Sequence, residues 1–99
     1  MSKTLVSLFV LTLFFVHIKD FKFSPATLHV AAGDTVVFVN DDSEAHTATS
    51  LTRAFDSGGL DTNDRWQHRF AKPGSYSYIC ALHPYMKGAI LVSAPTVRK

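Results

Sequence analysis

The chain has a single cysteine, Cys80, and it opens the stretch CALHPYM, in which His83 and Met86 follow at intervals of three. A further histidine, His46, stands far upstream, where the polar run NDDSEA gives way to HTATSL. One thiolate, two imidazole nitrogens and one thioether make a mixed donor set. Soft sulfur suits Cu(I) and imidazole suits Cu(II), so such a set holds copper in either valence with little rearrangement. Binding needs the thiolate and both neutral imidazoles, so metal affinity falls with acidification and loading releases a proton. Each residue also has an ordinary reading: a small buried thiol, a loop histidine, a packing methionine. Position favours the site, because Pro84 stiffens the stretch and inter-strand loops of a sandwich gather at one end of its two sheets.

To bring His46 beside Cys80 the chain must fold back on itself through several short elements. Strands bounded by turn residues predict an all-β sandwich or barrel. VHIKDFKF reads as one strand with an irregularity at Lys19 and Asp20, ended by Ser24 and Pro25. TLHV follows, then the turn AAGD, where Gly33 can take a positive φ. TVVFVN is the most β-branched segment and is expected at the centre. NDDSEA is a loop, HTATSL resumes an extended pattern, and DSGGLDTND is a long exposed connection. Period two in RWQHRF places Trp66, His68 and Phe70 on one face, with Gln67 and Arg69 on the other. After the turn at Lys72, Pro73 and Gly74, SYSYICA puts Tyr76, Tyr78 and Cys80 on one side. GAILV closes the chain, which makes CALHPYM the loop between the last two strands. No segment keeps a helical period.

The 99 residues suit one small domain, since domains commonly run to roughly 50–200 residues. With 46% apolar and 18% charged residues, the composition is that of a folded globular chain. Ten Lys and Arg against eight Asp and Glu, without basic runs, give +2 and no argument for nucleic acid. That balance fits ordinary solubility, or weak guidance toward an acidic partner surface. One thiol cannot form an internal disulfide, and a bare thiol in an oxidising space is a liability unless it is buried or bound.

At the N-terminus, Lys3 followed by TLVSLFVLTLFFV resembles the charged start and apolar middle of a secretory signal, shorter than the ~20 residues of a membrane span. Residues 1–13 are therefore read as signal-like and residues 14–99 as the domain. Export is favoured, although small residues marking a cleavage point are missing. The alternative is that Leu11 to Ile18 form the first strand. His17 and His29 fall in strands without soft ligands beside them and are expected at the surface, while His68, beside Trp66 and Phe70, is expected inside. Tyr76 and Tyr78 read as core packing.

Together, GDTVVFVNDDSEAHT and GSYSYICALHPYMKGAILV resemble the cupredoxin family. The short ligand loop, with two residues between successive ligands, is similar to that of its amicyanin branch. The likeness runs from about Phe14 onward. It implies a Greek-key β-sandwich and one copper per chain, with His46, Cys80 and His83 as strong ligands and Met86 as the weak axial one. It further implies a periplasmic monomer that shuttles single electrons, with a dehydrogenase-type donor and a c-type cytochrome as acceptor. His83, ringed by Leu82, Pro84 and Tyr85, becomes the electron exit and docking patch. Thr47 stands where the family often has an asparagine that ties the ligand loops together, and Ala45 where it often has proline. These departures bear on the redox potential more than on copper binding.

Two other classes compete. A copper storage or delivery protein of the same fold would be supported by methionine- or histidine-rich tracts, and the chain has two methionines. An enzyme would need a base and an oxyanion hole around a substrate cleft, or an open metal position, and no such motif is visible. The expectation is a carrier and not an enzyme.

Overall fold

A computed structural model describes residues 12–95. Of the signal-like run 1–13, residues 1–11 lie outside the described residues, and Leu13 opens the first strand. Among the described residues eight strands form: β1 (Leu13–Lys19), β2 (Lys22–Ser24), β3 (Thr27–Ala31), β4 (Thr35–Asn40), β5 (Thr49–Ser50), β6 (Arg65–Arg69), β7 (Gly74–Cys80) and β8 (His83–Ser93). They build two four-stranded sheets, ordered β2-β1-β4-β6 and β3-β8-β7-β5. The fold is an all-β sandwich. β1 pairs parallel with β4, and β3 parallel with β8, while the remaining ladders are antiparallel.

Strand β4 is buried at all six positions. Its inward residues Val36 and Phe38 enter the core. The outward ones, Thr35, Val37 and Val39, lie opposite Leu13, Phe15 and His17 on one side and Arg69, Gln67 and Arg65 on the other. Long side chains lying across a β-branched row keep water off it. Phe38 packs against Phe55, Trp66 and Tyr78, and burying such a ring stabilises the fold by about 1.5–3 kcal/mol. On β7, Tyr78 and Cys80 point inward and Ser75 and Ser77 outward, as their alternation predicts. Opposite Tyr78 stands Gly88. A Cβ there would lie 2.3 Å from Tyr78 Cζ, so this glycine makes room for the ring.

Three expectations need correction. VHIKDFKF is not one strand but a hairpin, β1 and β2, whose two connecting residues Asp20 and Phe21 both have positive φ (51° and 57°). Two left-handed residues in succession match the twist of a type I′ connection, and phenylalanine is an unusual occupant. HTATSL contracts to β5, because the backbone around it bonds to the following connection instead: Ala48 O accepts from Ser57 N and Ser50 N donates to Phe55 O. CALHPYM is not wholly a loop, since β7 runs through Cys80, Ala81 and Leu82 turn, and β8 starts at His83. The ladder there steps from Ile79↔Lys87 to Cys80↔His83. Pro84, Tyr85 and Met86 thus stand outside the pairing, which suits a proline without an N–H.

Candidate metal centre

Where β1, β4 and β7 end and β8 begins, the connecting segments meet. Asn40, fully buried at the end of β4, organises the first of them. Its amide nitrogen donates to Glu44 O and Leu60 O, and its Oδ1 accepts from Asp42 N. The loop is thereby folded back so that His46 exchanges backbone hydrogen bonds with Leu60 in both directions. His46 is completely buried. Its Nε2 lies 2.8 Å from Asp42 Oδ2. An ionised carboxylate can only accept, so Nε2 carries the proton and the lone pair is left on Nδ1. That nitrogen is 3.7 Å from Cys80 Sγ, and His83 Nδ1 is 3.7 Å from the same sulfur.

The three donor atoms all lie within 4.8 Å of one another. Ligand bonds of roughly 2.0–2.3 Å at angles near trigonal separate sulfur from nitrogen by about 3.6–3.8 Å, so the observed spacing fits one ion. Met86 is buried and belongs to the same packed cluster as Cys80. The structure thus brings His46, Cys80 and His83 together from two separate segments, the loop after β4 and the β7–β8 hairpin.

Cys80 Sγ accepts the backbone N–H of Thr47 at 3.3 Å. The Thr47 hydroxyl accepts from Ala81 N at 2.7 Å, so the threonine does link the two ligand segments. Two residues of the site escaped the sequence reading. Asp42, besides holding His46, accepts from Phe21 N at 3.1 Å and Ser43 N at 3.1 Å. The hydrogen bond with His46, then that from Phe21, holds its carboxyl below the ordinary carboxylate range. Phe21 sets its ring edge-on to both imidazoles, with centroids 5.1 Å from His46 and 4.9 Å from His83. The four-residue spacing of Asp42 and His46 was a weak signal for their pairing. Nothing in the sequence marked Phe21, whose position depends on an unforeseen turn.

His83 is half-buried, and beside it Leu82 and Tyr85 are 57% and 67% exposed. The other histidines sort differently. His17 is exposed and pairs with Asp41 at 2.6 Å, and His29 is exposed. His68 is half-buried rather than interior, stacked on Trp66 and edge-on to Phe70.

The model of the cupredoxin-like domain family matches residues 12–92. Amicyanin-alpha of Methylorubrum extorquens is 29% identical over 82 residues, covering 78% of this chain and 69% of that protein. Among solved structures, a purple cupredoxin from Nitrosopumilus maritimus is similar with a TM-score of 0.77 at 32% identity, over 81% of this chain and 99% of that one. A copper-containing nitrite reductase from Thermus scotoductus has a TM-score of 0.79 at 33% identity. It matches 96% of this chain with 24% of its own length, so there the fold is one part of a larger protein. A family match over most of the length, with a Cys-His-His cluster at one end of the sandwich, means that this chain belongs to the cupredoxin-like family.

Proposed function

We propose that the protein is a blue copper electron carrier, in which His46, Cys80 and His83 would hold one copper strongly and Met86 would add a weak fourth donor. The observation that carries this is the convergence of two imidazole Nδ1 atoms on one buried cysteine sulfur. When bound, copper supplies a one-electron couple between its two valences. The chain's own residues do the rest. Asp42 holds His46 with Nδ1 free, Thr47 N–H steadies the thiolate, and Phe21 screens both imidazoles from water. His83 lies toward the surface amid Leu82, Pro84 and Tyr85, and this apolar patch is the docking face through which electrons leave. By likeness to amicyanin, the donor is a dehydrogenase-type protein, the acceptor a c-type cytochrome, and the setting periplasmic, with the carrier acting as a monomer and not as an enzyme. Among the described residues no helix is long and apolar enough to cross a membrane.

The test is optical. Cu(II) added to the metal-free protein gives an intense blue thiolate-to-copper band that a mild reductant bleaches, and Cys80→Ser abolishes it. A colourless adduct would overturn the carrier reading in favour of storage or delivery.

A further inference from the structure

Beyond the metal centre, a row of hydroxyls runs from the ligand hairpin to a surface carboxylate. Ala81 N donates to Thr47 Oγ1 at 2.7 Å, Thr47 Oγ1 lies 2.9 Å from Thr49 Oγ1, and Thr49 Oγ1 donates to Asp56 Oδ1 at 3.1 Å. The direction of every bond is set by the two ends. An amide N–H can only donate and a carboxylate can only accept, so the Thr49 proton goes to Asp56 and the Thr47 proton goes to Thr49. Hydrogen bonds in series polarise one another, and a charged acceptor at the end strengthens the row. Asp56 is itself held from the far side, where Gly58 N donates to the same oxygen at 2.9 Å.

We infer that Asp56, acting through Thr49 and Thr47, is a positioning residue that sets the reduction potential of the centre. The inference rests on the copper reading above. Its physical content is the fate of one N–H. The row fixes the Ala81 amide on the Thr47 oxygen, and the Cys80 sulfur keeps the Thr47 N–H as its backbone donor. A thiolate with few donors is electron-rich and favours the oxidised metal. Breaking the row beyond Thr47 removes the partner that holds the Thr47 hydroxyl in place; the hydroxyl can then rotate off the Ala81 N–H, which turns toward sulfur, favours the reduced metal and raises the potential.

Three full-length variants test this, each read two ways: the potential of the copper-loaded protein, and hydrogen exchange of the Ala81 amide in the metal-free protein. Thr49→Val removes the hydroxyl but keeps the Asp56 charge. It is expected to raise the potential and to speed Ala81 exchange by up to about tenfold, the limit set by full loss of the Ala81–Thr47 hydrogen bond. Asp56→Asn is expected to shift both readouts in the same direction by less, because an amide oxygen still accepts. Thr49→Ser is expected to restore both to the wild-type values. If Asp56→Asn moves the potential while Thr49→Val does not, the charge acts through space and the inference is wrong. Unchanged Ala81 exchange in Thr49→Val overturns it equally. A wild-type protein without a blue band would count against the copper reading alone, since the exchange measurement needs no metal.

Discussion

Asp42 has the largest expected effect of the side chains that touch the ligands without being one. Its carboxylate fixes the tautomer of His46 and makes that imidazole a stronger donor toward a cation. Asp42→Asn keeps the size, loses the charge and lets either ring tautomer form. Cu(II) affinity, measured by competition against a chelator, is expected to fall roughly 10–100-fold, with a raised potential. An unchanged affinity would show that Leu60 and the backbone alone orient His46. Tyr78 makes the opposite case. Its hydroxyl is buried without a hydrogen-bond partner, and desolvation pushes its pKa upward. Tyr78→Phe removes a polar group that already lacks its water, so denaturant unfolding should show unchanged stability or a gain of up to about 1 kcal/mol. A clear loss would mean that the phenol has a bonding partner in solution. At this scale the sulfur and the two imidazoles were legible because their chemistry is rare and their spacing distinctive. Asp42 was not, because its role depends on how Asn40 folds a loop.

Among the elements, the closing hairpin β7–β8 matters most, since it carries Cys80 and His83 and fills the core beneath them. Gly88 is its tightest point. Gly88→Ala places a methyl 2.3 Å from the Tyr78 ring, and neither that ring, wedged edge-on against Phe23 and Phe38, nor the ladder can easily give way. A loss of about 1–3 kcal/mol is expected from the overpacking, and Tyr78→Phe in the same chain should recover part of it. Full additivity of the two changes in a double-mutant cycle would show that the clash is not between these two groups. Alternation in β6 and β7 was readable in the sequence because period two in apolar residues is a direct imprint of a half-buried sheet. The β1–β2 turn was not, because phenylalanine is a poor occupant of left-handed backbone and is held there by tertiary contacts, its N–H on Asp42 and its ring on the two imidazoles. Likewise β5 is short because the connection after it competes for the same backbone groups.

Across the molecule as a whole, acid acts on the seam between the sheets as well as on the centre. His68 is stacked among Trp66, Phe55 and Phe70, and burial holds its pKa below the ordinary 6.5. The unfolded chain therefore binds a proton more readily than the folded one. The stability this neutral ring contributes is complete above about pH 6.5. It is lost as pH falls from there through the lower folded value, and no further loss from this group follows beneath it. In the metal-free protein, His68→Phe is expected to flatten that part of the stability–pH curve relative to wild type, measured by denaturant midpoints at successive pH values. An unchanged slope would show that His68 is not its source. One feature of the sheet order bears on how the chain comes to be folded at all. In the sheet β3-β8-β7-β5, the interior strand β8 comes after all its neighbours in the chain. A polypeptide emerging from the ribosome thus has β3 and β7 in hand with nothing between them, and half the sandwich cannot close until β8 arrives. Cys80 and His83 stand on either side of the last turn, so the pocket where they meet His46 is complete only once β8 is in place.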